Sequence, residues 1–275
     1  MNRMMITASN TMGELQKQLD VISNNIANIQ TNGYKREQVR FSEMMYQQFN
    51  NQQVESEEVG RLTPLGVRQG SGAKISQIQT DTSIGNIVQT DRLLDFALTA
   101  ENEYFKVLVP QDDQFTVQYT RDGAFYLSPT NDGENMLVTA QGYPILDENN
   151  EPIVFQGDMK EIRISDDGII QYTNDAGAET NVALGIVLAE NPQIFLQNGN
   201  NLVSLPNHLE EGDVLINLTG DNRQQIGIRQ GALEGSNVDL TEEMTNMIQT
   251  QRAYQFQAKS VTLADQMLGL INGIR

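Results

Sequence analysis

Met5, Ala8, Met12, Leu15, Leu19, Ile22, Ile26 and Ile29 recur at alternating steps of three and four. That spacing is a heptad seam sustained over more than three repeats, and it commits the start of the chain to a long helix. A second seam closes the sequence through Leu240, Met244, Met247, Gln251, Tyr254, Ala258, Val261, Ala264, Leu268 and Ile271. The consecutive steps of three at Val261 and Ala264 disturb its period as a stammer does. Asp239 with Glu242 reads as a cap with reciprocal bonding. Glu242 and Glu243 suit the positive end of the helix dipole. Periodicity alone leaves two readings open: helices packed on their own body, or helices offered to neighbours.

Thr7, Ser9, Asn10, Ser23, Asn24, Asn25 and Asn28 fall off the first stripe. Short polar side chains compete for backbone hydrogen bonds, so they weaken an isolated helix. Asn32-Gly33 supplies the expected stop, with Gly33 in the left-handed conformation. Asn and Gln with few charges suit a face that hydrogen-bonds to neighbouring helices.

From Tyr104 the period changes. "YFKVLV", "FTVQYT", "AFYLS", "MLVTA", "EIRIS", "IIQYT" and "VALGIVLA" are short and rich in β-branched and aromatic residues. Turn signals separate them at Arg121-Asp122-Gly123, Asn131-Asp132-Gly133, Gln141-Gly142, Asp166-Asp167-Gly168 and Asn174-Asp175. The expected fold is mixed and mainly β: an antiparallel β-sandwich or irregular barrel, with paired, coiled-coil-like N- and C-terminal α-helices. The expected divisions are an N-terminal helix over 1–33, an extended, partly flexible arm over 34–90, a β-domain over 91–230 and a C-terminal helix over 231–275.

The net charge of −18 repels phosphate and argues against nucleic acid as a partner. Residues 1–33 are neutral and residues 236–275 carry −1, which leaves −17 between them. The acidity therefore solvates the middle, not the ends. Without cysteine there is no disulfide framework and no Cys-ligated zinc. The opening residues lack an apolar core and cleavage site, so no conventional signal peptide is expected. No run reaches the ~18 apolar residues of a membrane span, so no membrane insertion is expected.

No catalytic, cofactor-binding or metal-binding residues emerge. His208 is the lone histidine, and no G-x-S-x-G accompanies it. "GSGAK" at 70–74 lacks the spacing of a phosphate-binding loop. "DENNE" at 147–151 precedes Pro152 where a calcium loop needs glycine. The "DDG" and "NDG" triplets read as Asx-stabilised turns. A carboxylate pair for glycoside hydrolysis has 36 acids to draw on, but the absence of Trp reduces the usual sugar-stacking platform.

Both ends resemble the bacterial flagellar rod and hook family of axial proteins. The N-terminal carriers are Ser23, Asn24, Ile26, Ala27, Asn28, Thr31, Gly33, Tyr34 and Lys35. The C-terminal carriers run from Gly231, Leu233, Glu234, Ser236, Asn237 and Val238 to Glu243, Met244, Ile248, Gln251, Arg252, Ala253, Tyr254, Lys259, Asp265 and Met267. "YTRDGAFYLSPTNDGENMLVTAQGYPIL" and "NPQIFLQNGNNLVSL" are similar to the family's β segments. The chain departs from the pattern at "LTAENEYFKV", where the family usually has glycines before the aromatic pair. Residues 46–72 resemble the extra segment of the distal rod protein, and the chain resembles the paired hook-basal-body proteins of Gram-positive bacteria.

The resemblance implies an uncleaved structural subunit of the basal body, not an enzyme, without cofactors. It would leave through the flagellar export apparatus and polymerise with copies of itself and with neighbouring rod and hook proteins. With the seams, it implies an N-terminal interface of Met12, Leu15, Leu19, Ile22, Asn24, Ile26, Asn28, Ile29, Thr31, Gly33 and Tyr34. The C-terminal interface would comprise Asn237, Val238, Leu240, Met244, Met247, Ile248, Gln251, Arg252, Tyr254, Ala258, Val261 and Leu268. A hook or hook-junction subunit, or a secreted binding module, are the competing readings.

Overall fold

The computed structural model describes residues 2–45, 47–49, 67–70, 72–111, 114–130, 134–157, 161–173, 179–206, 209 and 211–273. The chain divides into two compact units: residues 1–26, 37–79 and 240–275 in one, residues 27–36 and 80–239 in the other.

The first unit holds the N-terminal helix Asn2–Ala27 and the C-terminal helix Leu240–Gly273. Ala8, Val21 and Ile22 are buried, and Met5, Met12, Leu15, Leu19 and Ile26 are half-buried, so the first seam is the covered face. The N-terminal helix stops at Ala27, short of the expected Asn32-Gly33 boundary, and Ile29 falls in the turn that follows. Asn25 supplies the reason. Its buried amide donates to Glu37 O at 2.8 Å and accepts from Glu37 N–H at 3.0 Å. The chain must reverse within a few residues to bring Glu37 back to the helix. Thr31 N–H donates to Asn28 O at 3.1 Å within that turn.

Part of the expected arm is paired instead. Glu37–Glu43 and Ala73–Thr80 form a two-stranded sheet, and Gln47–Phe49 runs antiparallel to Val67–Gln69. Residues 50–66, within the stretch that resembles the distal rod segment, lie outside the described residues. Glu14 on the helix accepts the Ile75 N–H at 2.7 Å. That bond, with Lys17, holds the Glu14 carboxyl below its ordinary range. The C-terminal helix begins at Leu240 rather than 231, because Ala232–Glu234 is a strand paired with Ile87–Gln89.

The second unit is antiparallel β. Its largest sheet is ordered Leu196–Gln197, Leu202–Ser204, Gln114–Thr120, Glu103–Gln111, Ile186–Ala189, Leu215–Asn217. Two three-stranded sheets accompany it, centred on Glu134–Val138 and Ile169–Thr173. Side chains alternate along Glu103–Gln111. Phe105 and Val107 enter the main core with Phe96, Phe125, Leu137 and Phe155. Tyr104 enters a second cluster with Tyr119, Val187, Ala189 and Leu215. Phe105 meets Phe125 edge-on with ring centroids 5.1 Å apart, a favourable aromatic geometry.

"VALGIVLA", expected as one strand, is two: Glu179–Ala183 and Ile186–Ala189. The break is Gly185, where a Cβ would stand 2.5 Å from Asp147 O. Arg121-Asp122-Gly123 is a packed corner and not an open hairpin turn, since a Cβ on Gly123 would stand 1.7 Å from Phe96 O. In the segment that departs from the family pattern, Asn102 takes a left-handed φ of 61°. Asparagine tolerates that region far better than most residues do. The turns expected at Asn131–Gly133 and Asn174-Asp175 fall outside the described residues.

Candidate functional site

Three residues remote in sequence meet inside the β unit. Lys35 Nζ donates to Glu234 Oε1 at 2.6 Å, and Arg121 Nε donates to Glu234 Oε2 at 2.7 Å. All three side chains are buried. The remaining donors find backbone: Lys35 reaches Ser83 O at 2.7 Å, and Arg121 reaches Glu103 O at 3.1 Å and Ala100 O at 2.7 Å. Glu234 Oε1 also accepts the Gly85 N–H at 2.9 Å. A buried carboxylate facing two cations and one backbone N–H is an arrangement in which removing one partner costs far more than the pair itself contributes.

The neighbouring motif residues serve this cluster. Gly33 N–H donates to Glu234 O at 2.8 Å, and its left-handed backbone lies where a Cβ would be 2.6 Å from Arg121 C. Gly33 is thus fixed by close approach to Arg121, not by a helix end. Asn237 accepts the Arg36 N–H at 2.7 Å and donates to Asp81 O at 3.0 Å and Ser83 O at 3.1 Å. Burial alone raises the Glu234 carboxyl, but Arg121 and Lys35 outweigh it and hold the group below its ordinary value. Glu103 is the opposite case. It is 1% exposed, and burial pushes it up to about 7 against the pull of the Gly227 N–H and Arg121. Its Oε2 has no hydrogen-bond partner among the described residues.

The structure sorts the expected interface residues into covered and exposed sets. Ile22, Gly33, Tyr34 and Val238 are buried within the chain, and Met12, Leu15, Leu19, Ile26, Asn28, Ile29, Thr31 and Asn237 are half-buried. On the C-terminal helix Met247, Tyr254, Ala258, Val261 and Leu268 are half-buried. Asn24, Leu240, Met244, Ile248, Gln251 and Arg252 are exposed. Phe256, Leu263, Met267 and Leu270, which the seam did not include, are also exposed, Phe256 at 74%. Lys35 and Glu234 were legible only as members of motifs and Arg121 only as part of a turn. A Lys, an Arg and a Glu beside glycines were the signal for a buried network. Among the described residues no group of three or more His, Cys, Asp or Glu could hold a metal ion, and none of the helices is long and apolar enough to cross a membrane. His208 lies outside the described residues.

Three family models match: "Flagella basal body rod protein" over residues 5–35, "Flagellar hook protein FlgE/F/G D1 domain" over 100–172, and "Flagellar basal body rod FlgEFG protein C-terminal" over 229–274. Each matched segment contributes one member of the ion cluster: Lys35, Arg121 and Glu234. The chain is 43% identical over 277 residues to the flagellar hook-basal body complex protein FlhP of Bacillus subtilis, covering 100% of both. It is 33% identical over 281 residues to the flagellar basal-body rod protein FlgG of Borreliella burgdorferi, covering 100% of this chain and 99% of that one. FlgG of Bacillus subtilis is 32% identical over 270 residues, covering 98% and 97%. Similarity of this level along the whole length, with the two terminal motifs and the β segment each matched, places the chain in the FlgE/F/G family of flagellar basal-body rod and hook proteins.

Proposed function

We propose that this chain is a structural, non-catalytic subunit of the flagellar basal body, in the distal rod, where it polymerises through its terminal helices into a hollow helical tube. The observation that carries this reading is the C-terminal helix. Leu240, Met244, Ile248, Phe256, Leu263 and Leu270 are exposed there while Ala264 on the same helix is buried. A helix that is apolar on more than the side its own chain covers is a helix that neighbours complete. Charge supports the same direction, because near-neutral ends can approach each other where an acidic middle cannot. In the assembly the ends would contact other copies and adjoining rod and hook proteins, and the β-domain of 91–230 would face outward. Delivery would go through the flagellar export apparatus.

A hook or hook-junction position is the second reading, favoured by the hook-basal body name of the FlhP relative and the hook title of the matched D1 model. Immunogold electron microscopy of purified basal bodies separates the two. Label on the rod supports the first, and label on isolated hooks alone overturns it.

A further inference from the structure

We propose that Lys106 and Asn150 join in an intramolecular isopeptide bond, a covalent staple within the β unit. Lys106 lies in the strand Glu103–Gln111, opposite Tyr119 of Gln114–Thr120, and alternates onto the face that carries Tyr104 and Tyr119. It is 2% exposed. Its Nζ donates to Asn150 Oδ1 at 2.8 Å. Oδ1 is bonded to Cγ, so this contact brings the amine to the edge of a primary amide.

The turn that carries Asn150 is held against Lys106 itself. Leu146 N–H donates to Lys106 O at 3.0 Å, and Asn150 N–H donates to Asp147 O at 3.2 Å. Asp147 Oδ1 accepts the N–H groups of Asn149 and Glu151, each at 2.8 Å, and Asn150 has a φ of 65°. The reacting groups are therefore positioned by backbone, and such positioning is where an intramolecular reaction gains most of its rate.

Burial pushes the Lys106 ammonium down against the pull of Glu211 and Asp147, which raises the share of neutral amine. The neutral amine is the nucleophilic form. Asp147 already accepts three hydrogen bonds from its own turn, and Asn150 is exposed, so solvent water carries the proton. The Nζ lone pair attacks Asn150 Cγ and forms the new carbon–nitrogen bond, while a solvent water takes one proton from Nζ. The tetrahedral centre then collapses, the Cγ–Nδ2 bond breaks, and the same proton passes to the departing nitrogen. A primary amine and a primary amide become one secondary amide and one ammonia, with no oxidant or other reagent.

Mass spectrometry of the intact, full-length protein tests this directly. The expected mass is that of the sequence less one ammonia, with a branched peptide linking Lys106 to Asn150 after digestion. Asn150→Ala should restore the full mass of its own sequence. Recovery of Lys106 and Asn150 in separate unbranched peptides, or of Asn150 converted to aspartate, overturns the proposal.

Discussion

Glu234 accepts from two cations and from the backbone N–H groups of Gly85 and Gly33, so its replacement is the most informative single change in the β unit. Glu234→Gln would leave Lys35 and Arg121 buried against a neutral amide, and the expected loss is about 3–5 kcal/mol in urea unfolding of the full chain. The sign of the pH dependence follows from the depressed carboxyl. Its contribution is fully present above the ordinary value of 4.5 and is lost as pH falls through the lower folded value, so the variant should also show a shallower acid limb. A loss below about 1 kcal/mol would mean that water screens the cluster as it does a surface pair. Glu103 has the opposite sign. With its carboxyl raised from 4.5 to about 7, its stabilising state is complete below 4.5 and is lost as pH rises through 7. Glu103→Gln should therefore gain about 1–2 kcal/mol over the unaltered protein at pH 8 and gain nothing at pH 4.5. Thermal melts at both pH values check it, and an equal gain at each would point to packing instead of ionisation. Neither carboxylate's role was legible in the sequence. A charged residue's partner is set by tertiary approach, and Lys35 and Glu234 are 199 positions apart.

At the scale of elements, alternation and turn chemistry disclosed the longer strands of the β unit but not two- and three-residue strands such as Phe96–Leu98, because a strand's hydrophobic face is written into adjacent residues only where it runs long enough to alternate. The other failures share a cause. Gly185 divides a strand and Gly123 folds a corner because another segment's backbone lies where a Cβ would go, and that segment is distant in the chain. Asn25 is the same lesson within the helix. Read locally, it is a residue of low helix propensity off the stripe; in the fold, its amide takes both backbone groups of Glu37. Asn25→Ala would leave that N–H and C=O without the amide, at an expected cost of about 1–3 kcal/mol. Amide exchange at Glu37 should speed up by a matching factor while Phe105 in the β core keeps its protection. Unchanged exchange at Glu37 would show that the helix–strand junction is held by other bonds.

For the whole molecule, the seams were legible as seams but not as interfaces, since periodicity records that a stripe is apolar and not which molecule covers it. Burial divides them. Leu19 and Ile26 are half-buried in the chain's own fold, so a carboxylate at either would disturb the subunit as well as any contact between subunits. Met244 and Ile248 are 47% and 48% exposed, one helical turn apart on one face. Met244→Asp with Ile248→Asp should leave the isolated subunit's melting temperature within about 2 °C, as exposed substitutions do. In an assembly the same pair would place two carboxylates in a desolvated seam, and burying unpaired charge is costly enough to open it. Each subunit of a helical tube repeats the same heterologous contacts, so one defective patch is defective at every junction. The double variant should therefore abolish swimming and hook-basal body formation while the folded subunit accumulates at normal levels. Complementation of a deletion strain, scored for swimming, basal bodies and subunit in the medium, reads all three. Swimming at normal speed would remove this face of the C-terminal helix from assembly and leave the half-buried seam residues as its remaining carriers.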